Sequence, residues 1–354
     1  MQDTKREALL YVKEKEDRVR CSLCPRRCLI FPGKAGYCGV RQNIGGVLYT
    51  LIYGKVSSIN ADPIEKKPLF HFHPGTSVLS LGTIGCNMRC IHCQNWQISH
   101  VIPVKGLATD KVFNVIEEIP TQFISPEDAV KLAYEYGCQG IAWTYNEPTI
   151  WFEYTLDCAK LAKQKGLYTA YVSNGYITPE ALDMIGPYLD AFRVDVKGFT
   201  NDFYRKLAQV PNWETILSAA IRAKKKWNMH VEIITLIVPT WNDDEPQLRS
   251  IADWIVTELG EMTPWHVTRF VPYLELKNLP TTPVEKLERA RQIGLESGLK
   301  YVYIGNVPGH PGENTTCHNC KNLLIERTGY DITALNITKE GKCNFCGADI
   351  GIKT

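Results

Sequence analysis

Three cysteines stand close together in the segment LSLGTIGCNMRCIHCQNW, namely Cys86, Cys90 and Cys93. Three thiolates on one short loop can bind three irons of a cubic 4Fe-4S cluster and leave the fourth iron without a protein ligand. An open iron of this kind can take an exogenous ligand and pass it an electron. The alternative is a zinc loop completed by a distant fourth ligand, but zinc knuckles usually pair two Cys-x2-Cys units. The spacing therefore favours an iron–sulfur site.

A second group of cysteines lies near the C-terminus and consists of two Cys-x2-Cys knuckles separated by residues 321–342: Cys317, Cys320, Cys343 and Cys346. Paired knuckles of this spacing are typical of a zinc ribbon or a rubredoxin-like unit. A segment of about 40 residues builds little hydrophobic core, so a bound metal would supply much of its folding free energy. Zinc is the first expectation, and mononuclear iron would use the same four ligands.

A third group lies near the N-terminus with less regular spacing: Cys21, Cys24, Cys28 and Cys38. Pro25 and several glycines between these cysteines suit a compact metal-binding loop. Zinc is favoured here as well. The alternative is a second iron–sulfur cluster with a ferredoxin-like role, delivering electrons to the first site.

Composition and charge narrow the class of protein. The 354 residues include 13 cysteines, are 44% apolar and 22% charged, and carry a net charge of +2. These values describe a soluble globular protein and give no general affinity for nucleic acid or membranes. The charged start MQDTKREALLYVKEKEDR predicts no signal peptide, and no segment reaches the ~20 apolar residues of a membrane span. We therefore expect a cytoplasmic protein, in which many cysteines indicate metals more than disulfides.

From residue 76 onward, short β-branched runs alternate with helical patterns. The predicted strands are 77–81, 140–144, 168–173, 191–196, 231–238, 266–270 and 301–304. Helix starts are marked by a capping residue followed by proline and an acidic residue at Ser125 and Thr178. Further helices are predicted near 149–165, 213–227, 245–259 and 283–298. Between the first two strands, residues 94–124 are expected to form a long loop with a helix or a mobile part.

Six strand–helix pairs and a final strand predict an α/β fold, a partial (β/α)6 barrel of the TIM type over residues 76–310. Residues 1–75 and 311–354 would be cysteine-rich, metal-binding appendages. In such barrels the chemistry lies on the loops that follow the carboxyl ends of the strands. Cys86 lies on the first of these loops, so the fold and the cysteine motif agree.

The chain resembles the radical S-adenosylmethionine (radical SAM) superfamily, in the branch that contains pyruvate formate-lyase activating enzyme. The resemblance is carried by CNMRCIHCQNW, WTYNEPT, VSNGY, DVKG and IVPTWNDDE. The whole chain resembles more closely the radical SAM member of the AmmeMemoRadiSam system, through CSLCPRRC, GYCGVR, TYNEP, RFVPY and GHPGENTTCHNC. The resemblance implies a radical SAM barrel with a 4Fe-4S cluster bound by the three cysteines, and S-adenosylmethionine chelated to the open iron.

The resemblance also implies roles for other residues. Glu147 is expected to accept the methionyl amine of S-adenosylmethionine, although Tyr145-Asn146 replaces the usual Gly-Gly before it. The other expected cofactor-binding residues are Asn146, Ser173, Asn174, Asp195 and Lys197. Arg269 and His310 are candidates for anchoring the substrate. Three of these assignments have a plainer structural alternative: a carboxylate in the first turn of a helix for Glu147, a turn for Asn174, and an ion pair for Asp195 with Lys197.

The predicted activity is reductive cleavage of S-adenosylmethionine to a 5′-deoxyadenosyl radical, which abstracts hydrogen from a substrate that the sequence does not identify. An external electron donor is required, and the substrate could be a protein or peptide. One alternative is an activating enzyme for a glycyl radical enzyme. An alternative of another class is an adaptor protein stabilised by zinc. Neither a membrane nor a nucleic-acid partner is expected.

Overall fold

A computed structural model describes residues 4–103 and 114–354. The N-terminal part consists of short strands paired in antiparallel fashion: β1 (Arg6–Glu7), β2 (Tyr11–Lys13), β3 (Val19–Cys21), β4 (Leu29–Ile30), β5 (Arg41–Ile44), β6 (Val47–Thr50) and β7 (Lys55–Val56). One small sheet has the order β1-β6-β5 and another has the order β2-β3-β4. The pairing of β3 with β4 turns the chain back between Cys21 and Cys28.

The following strands build mainly one large sheet: β8 (Ser58–Pro63), β9 (Ser77–Gly82), β10 (Val101–Ile102), β11 (Asn114–Val115), β12 (Gln122–Phe123), β13 (Gly140–Trp143), β14 (Tyr168–Ser173), β15 (Ala191–Asp195), β16 (His230–Ile237), β17 (Trp265–Arg269) and β18 (Val302–Gly305). The order in the large sheet is β18-β17-β16-β15-β14-β13-β9-β8. All neighbours run parallel except β8, which pairs with β9 in antiparallel fashion. The seven predicted strands are confirmed, with ends shifted by at most one residue.

The described helices are α1 (Trp96–Ser99), α2 (Pro126–Glu135), α3 (Phe152–Gln164), α4 (Pro179–Ile185), α5 (Asn201–Phe203), α6 (Glu214–Trp227), α7 (Glu245–Trp254) and α8 (Val284–Glu296). The predicted caps are present, since the side chain of Ser125 accepts from the Asp128 N–H and that of Thr178 from the Ala181 N–H. One main helix follows each of the first six parallel strands, which confirms the partial (β/α)6 barrel. The predicted 94–124 loop contains α1, and its residues 104–113 lie outside the described part.

The core of the barrel follows from the composition of its strands. All four residues of β13, Gly-Ile-Ala-Trp, are buried, as are five of the six in β9. A strand covered by helices on one side and by the barrel interior on the other needs an almost continuous apolar run. This burial fixes the strands rigidly, so that the loops at their carboxyl ends are held in defined positions.

The C-terminal part forms a three-stranded antiparallel sheet of β19 (Thr315–Thr316), β20 (Leu323–Thr328) and β21 (Asp331–Leu335). It packs against the amino ends of the barrel strands. The N–H of Lys353 donates to the carbonyl of His71, before β9, and Tyr301, directly before β18, hydrogen-bonds to His318 at 3.0 Å. Within the described residues, no helix is long and apolar enough to cross a membrane.

Candidate functional site

The loop with Cys86, Cys90 and Cys93 follows β9 at the carboxyl edge of the sheet, as predicted, and its three cysteines are partly exposed. Backbone hydrogen bonds hold it in place, from the Gly85 N–H to the Ile98 carbonyl at 2.7 Å and from the Ile91 N–H to the Leu207 carbonyl at 2.9 Å. The Met88 N–H points at the Cys86 Sγ at 3.4 Å. The loop is therefore held by its backbone, which leaves the thiols available as ligands.

Asn146 fastens this loop to the next strand. Its Oδ1 accepts from the Thr83 N–H at 3.0 Å, and its Nδ2 donates to the Gly85 carbonyl at 2.8 Å. The preceding Tyr145 adopts a left-handed backbone with a φ of 73°. Glycine takes this conformation without steric cost, which agrees with the Gly-Gly expected at this position from the resemblance. Both polar ends of Asn146 thus contact the cysteine loop.

Glu147 is buried between β13 and β14. Its carboxylate accepts from the N–H of Thr149 at 2.9 Å, from the hydroxyl of Ser173 at 2.8 Å and from the N–H of Asn174 at 2.8 Å. Burial raises the pKa of Glu147, and these donors oppose that effect. A carboxylate has about four acceptor positions, so one remains for a further donor. Glu147 thus lies at the N-cap of the short 3₁₀-helix Pro148–Trp151, one position before the first turn that the structural alternative assigned to it.

Asn174 lies against the cysteine loop. Its Nδ2 is 2.9 Å from the Asn87 Oδ1 and 3.7 Å from the Cys86 Sγ, while its Oδ1 accepts from the Tyr176 N–H. The turn alternative is thus also present, in the form of an Asx turn. The structure places Asn174 beside Cys86, and its contact with the cofactor stays a prediction.

Asp195 and Lys197 form an ion pair at 3.0 Å, and Arg193 also pairs with Asp195. Burial alone would raise the pKa of Asp195, but the two cations lower it. Burial alone would lower the pKa of Lys197, but Asp195 and the nearby Cys90 outweigh this effect and raise it. The Lys197 ammonium in turn favours the thiolate of Cys90, the form that binds a metal.

The three thiols occupy an environment that favours their protonated form in the absence of a metal. Burial is the largest cause that raises the pKa of Cys86, Cys90 and Cys93. The pKa of Cys90 is raised to about 12. A metal must displace these protons when it binds. Lys197 and the backbone donors reduce that cost.

Arg269 and His310 are engaged elsewhere. The Arg269 Nε donates to the Thr282 carbonyl at 2.9 Å, and His310 accepts from the Gly312 N–H at 2.9 Å while its other nitrogen lies 3.3 Å from Glu288. In residues 4–103 and 114–354, no hydrogen bond or ion pair joins either side chain to the cysteine loop. Their substrate-anchoring role stays a prediction.

The C-terminal cysteines converge as the knuckle spacing predicted. The sulfurs of Cys317 and Cys346 are 3.7 Å apart, as are those of Cys320 and Cys343, and all four lie within 4.8 Å of one another. Zinc bound tetrahedrally at a Zn–S distance of about 2.3 Å requires sulfurs about 3.8 Å apart. This set of residues fits a single tetrahedral metal ion.

The N-terminal cysteines line one cavity, together with Arg26, Tyr37, Arg41 and Asn87. Sequence reasoning did not single out Arg26 or Asn87. The Arg26 Nε donates to the Asn87 carbonyl at 2.7 Å, which joins the N-terminal group to the loop of Cys86. Their position in the sequence could have identified them, because Arg26 lies inside the cysteine motif CSLCPRRC and Asn87 inside CNMRC.

Comparison of the sequence with known proteins relates this chain to a known family. The family model described as "Radical SAM superfamily" matches residues 81–250. An uncharacterized protein of Methanocaldococcus jannaschii is 45% identical over 348 residues, covering 98% of this chain and 99% of that protein. A putative glycyl-radical enzyme activating enzyme of the same organism is 24% identical, covering 65% of this chain and 79% of that protein. The pyruvate formate-lyase-activating enzyme of Clostridium pasteurianum is 23% identical, and the match covers 61% of this chain and 87% of that protein. The chain is therefore an enzyme with a radical SAM domain, and it is similar to the activating enzymes of that superfamily.

Proposed function

We propose that the enzyme binds a 4Fe-4S cluster through Cys86, Cys90 and Cys93 and uses it to cleave S-adenosylmethionine reductively. The observation that carries this proposal is the position of three thiols on one loop at the carboxyl edge of the barrel. When bound, the cluster would supply one electron to the sulfonium, which yields methionine and a 5′-deoxyadenosyl radical. The protein supplies orientation and a protected site.

The residues around the loop support this proposal with complementary roles. Lys197 favours the thiolate at Cys90, and Asn174 and Asn146 hold the loop. The remaining acceptor position of Glu147 suits the methionyl amine, because a charged donor and a buried carboxylate form a strong hydrogen bond. Asp195 is neutralised by Arg193 and Lys197, which suits a structural ion pair beside the cofactor.

The experiment that tests the proposal is anaerobic formation of 5′-deoxyadenosine with a chemical reductant. Cys90→Ala should abolish it, because one of three cluster ligands is lost. Cys138→Ala is the matched control, since Cys138 is a buried cysteine outside the three groups and should retain activity. Wild-type rates in Cys90→Ala would contradict the cluster assignment.

The nature of the substrate is a finer proposal. Similarity to enzymes named as activating enzymes favours a protein substrate whose backbone glycine loses hydrogen. The extra metal-binding C-terminal unit favours a different substrate, as the AmmeMemoRadiSam resemblance implies. Transfer of deuterium from a glycine-labelled partner protein into 5′-deoxyadenosine would support the first; its absence, with cleavage intact, would favour the second.

A further inference from the structure

The N-terminal and C-terminal cysteine groups differ in the spacing of their sulfurs. Of the described residues, only the C-terminal set forms a group of three or more ligand atoms within 4.8 Å of one another. No three sulfurs of the N-terminal group are that close, although all four cysteines line the same cavity. A single tetrahedral ion needs sulfurs about 3.8 Å apart. In a cubane each thiolate binds a different iron, which places the sulfurs roughly 6 Å apart.

The surroundings of the N-terminal group also suit a metal cluster. Cys21 and Cys38 are buried and Cys24 and Cys28 are half-buried, so a group bound among them would be shielded from water. At the barrel's cysteine loop, the Met88 N–H points at the Cys86 Sγ. Hydrogen bonds from the backbone to the sulfurs are a regular means of tuning iron–sulfur clusters.

Positive charge faces this cavity. Arg41 is buried and lines the same cavity as Cys21 and Cys38. Two of its nitrogens bind Glu153 at 2.8 and 3.2 Å, while the buried Nε has no partner among the described residues. An unpaired buried donor is costly unless an acceptor occupies the site. A cluster with four thiolates is anionic and would provide that acceptor.

The cavity adjoins the barrel's cysteine loop. Asn87 lines it and directly follows Cys86 in the chain. Gly85 has a φ of 93°, and a Cβ there would lie 3.0 Å from the Cys38 carbonyl, so the two loops are in direct contact. The N-terminal cysteine group is thus adjacent to the barrel's cysteine loop.

We propose that Cys21, Cys24, Cys28 and Cys38 bind a second 4Fe-4S cluster beside the barrel's cysteine loop, and that this cluster passes electrons to the one at Cys86. A one-electron protein donor would be oxidised as this cluster is reduced. The cluster would be reoxidised as it reduces the barrel cluster, with no bond made or broken. The cluster assignment stands independently, whereas the electron transfer rests on the proposed function.

The decisive variant is the full chain with substitutions in the other two cysteine groups: Cys86→Ala, Cys90→Ala, Cys93→Ala, Cys343→Ser and Cys346→Ser. Of the three cysteine groups, the N-terminal one alone then keeps all of its cysteines. After anaerobic reconstitution we expect about four irons and four sulfides per chain, with broad visible absorption. One zinc without sulfide, or a folded chain without metal, would overturn the proposal. Because S-adenosylmethionine cleavage is not measured, failure here is distinct from failure of the proposed function.

A second variant decides the question if the first does not fold. Cys24→Ser with Cys28→Ser in the otherwise native chain should lose about four of eight cluster irons and retain the barrel cluster. An unchanged iron count would overturn the proposal. In the reduced native protein, electron paramagnetic resonance should show two spins broadened by mutual coupling, and the variant should show a single uncoupled signal. Absence of coupling with both clusters reduced would reject the electron-transfer role.

Discussion

Replacement of Asn146 by alanine should loosen the cysteine loop without removing a direct contact to S-adenosylmethionine. The resemblance assigned Asn146 to cofactor binding, yet both polar ends of its amide are bonded to the loop, at Thr83 and Gly85. The variant frees a buried N–H and a buried carbonyl. We therefore expect less iron retained per chain and a lower melting temperature.

The magnitude follows from these two bonds. An unsatisfied buried polar group costs about 1–3 kcal/mol, and Asn146 is itself only half-buried, so water can replace part of the loss. We therefore expect Asn146→Ala to lower the free energy of unfolding by about 1–3 kcal/mol in total. The entropy of unfolding scales with chain length, so each kcal/mol lowers the Tm of a chain of this size by only about 1–2 °C.

The assay compares iron content, Tm and the affinity of cluster-loaded protein for S-adenosylmethionine. Asn60→Ala is a matched control, because Asn60 is exposed and donates only to the Tyr145 hydroxyl at 2.9 Å. It should change stability by less than about 0.5 kcal/mol. Full cluster retention in Asn146→Ala with a selective loss of cofactor affinity would refute the positioning role and restore the direct contact.

Two further predictions concern the other end of the barrel. Cys343→Ser with Cys346→Ser should lose one metal ion per chain and lower the Tm while retaining formation of 5′-deoxyadenosine; metal analysis showing full retention would reject the site. Burial lowers the pKa of His71 to about 3 from its ordinary 6.5. The unfolded state therefore binds the proton first, and stability falls by about 1.4 kcal/mol per pH unit as pH drops from 6.5 towards 3. His71→Phe should remove its share of this slope, while buried His92, whose pKa burial also lowers to about 3, keeps its own share. Melting curves at pH 7 and 5 that keep the full native slope would contradict the prediction.

The sequence predicts the parallel strands well because burial on both faces demands long apolar runs. It did not predict β8, Ser-Ile-Asn-Ala-Asp-Pro, since polar residues and a terminal proline obscure any strand pattern. That strand is held by its pairing with β9, which no local signal reveals. The sequence also predicted that Glu147 and Asn174 follow parallel strands, at the edge of the sheet that carries the cysteine loop, whereas their cofactor-binding roles stay predictions.

Hydrogen-bond partners and sulfur spacing are harder to predict. The short motif around Glu147 does not show that Ser173 and Asn174 occupy half of its acceptor capacity, because that depends on the register of β13 and β14. Likewise, the spacing of the N-terminal cysteines is compatible with zinc or a cluster. The choice depends on how β3 and β4 turn the chain, and therefore on how far apart the sulfurs lie.

The C-terminal unit lies at the opposite end of the barrel from the cysteine loop. Its sheet carries Arg327, which is buried and donates to the Phe70 carbonyl at 3.0 Å and to the Thr315 hydroxyl at 2.8 Å. Phe70 precedes β9 at its amino end, whereas Cys86 follows β9 at its carboxyl end. A metal bound at Cys317 would therefore stabilise the amino end of the barrel through this sheet. Because the cysteine loop lies at the other end, we predict that the unit supports the barrel and does not present a substrate to that loop.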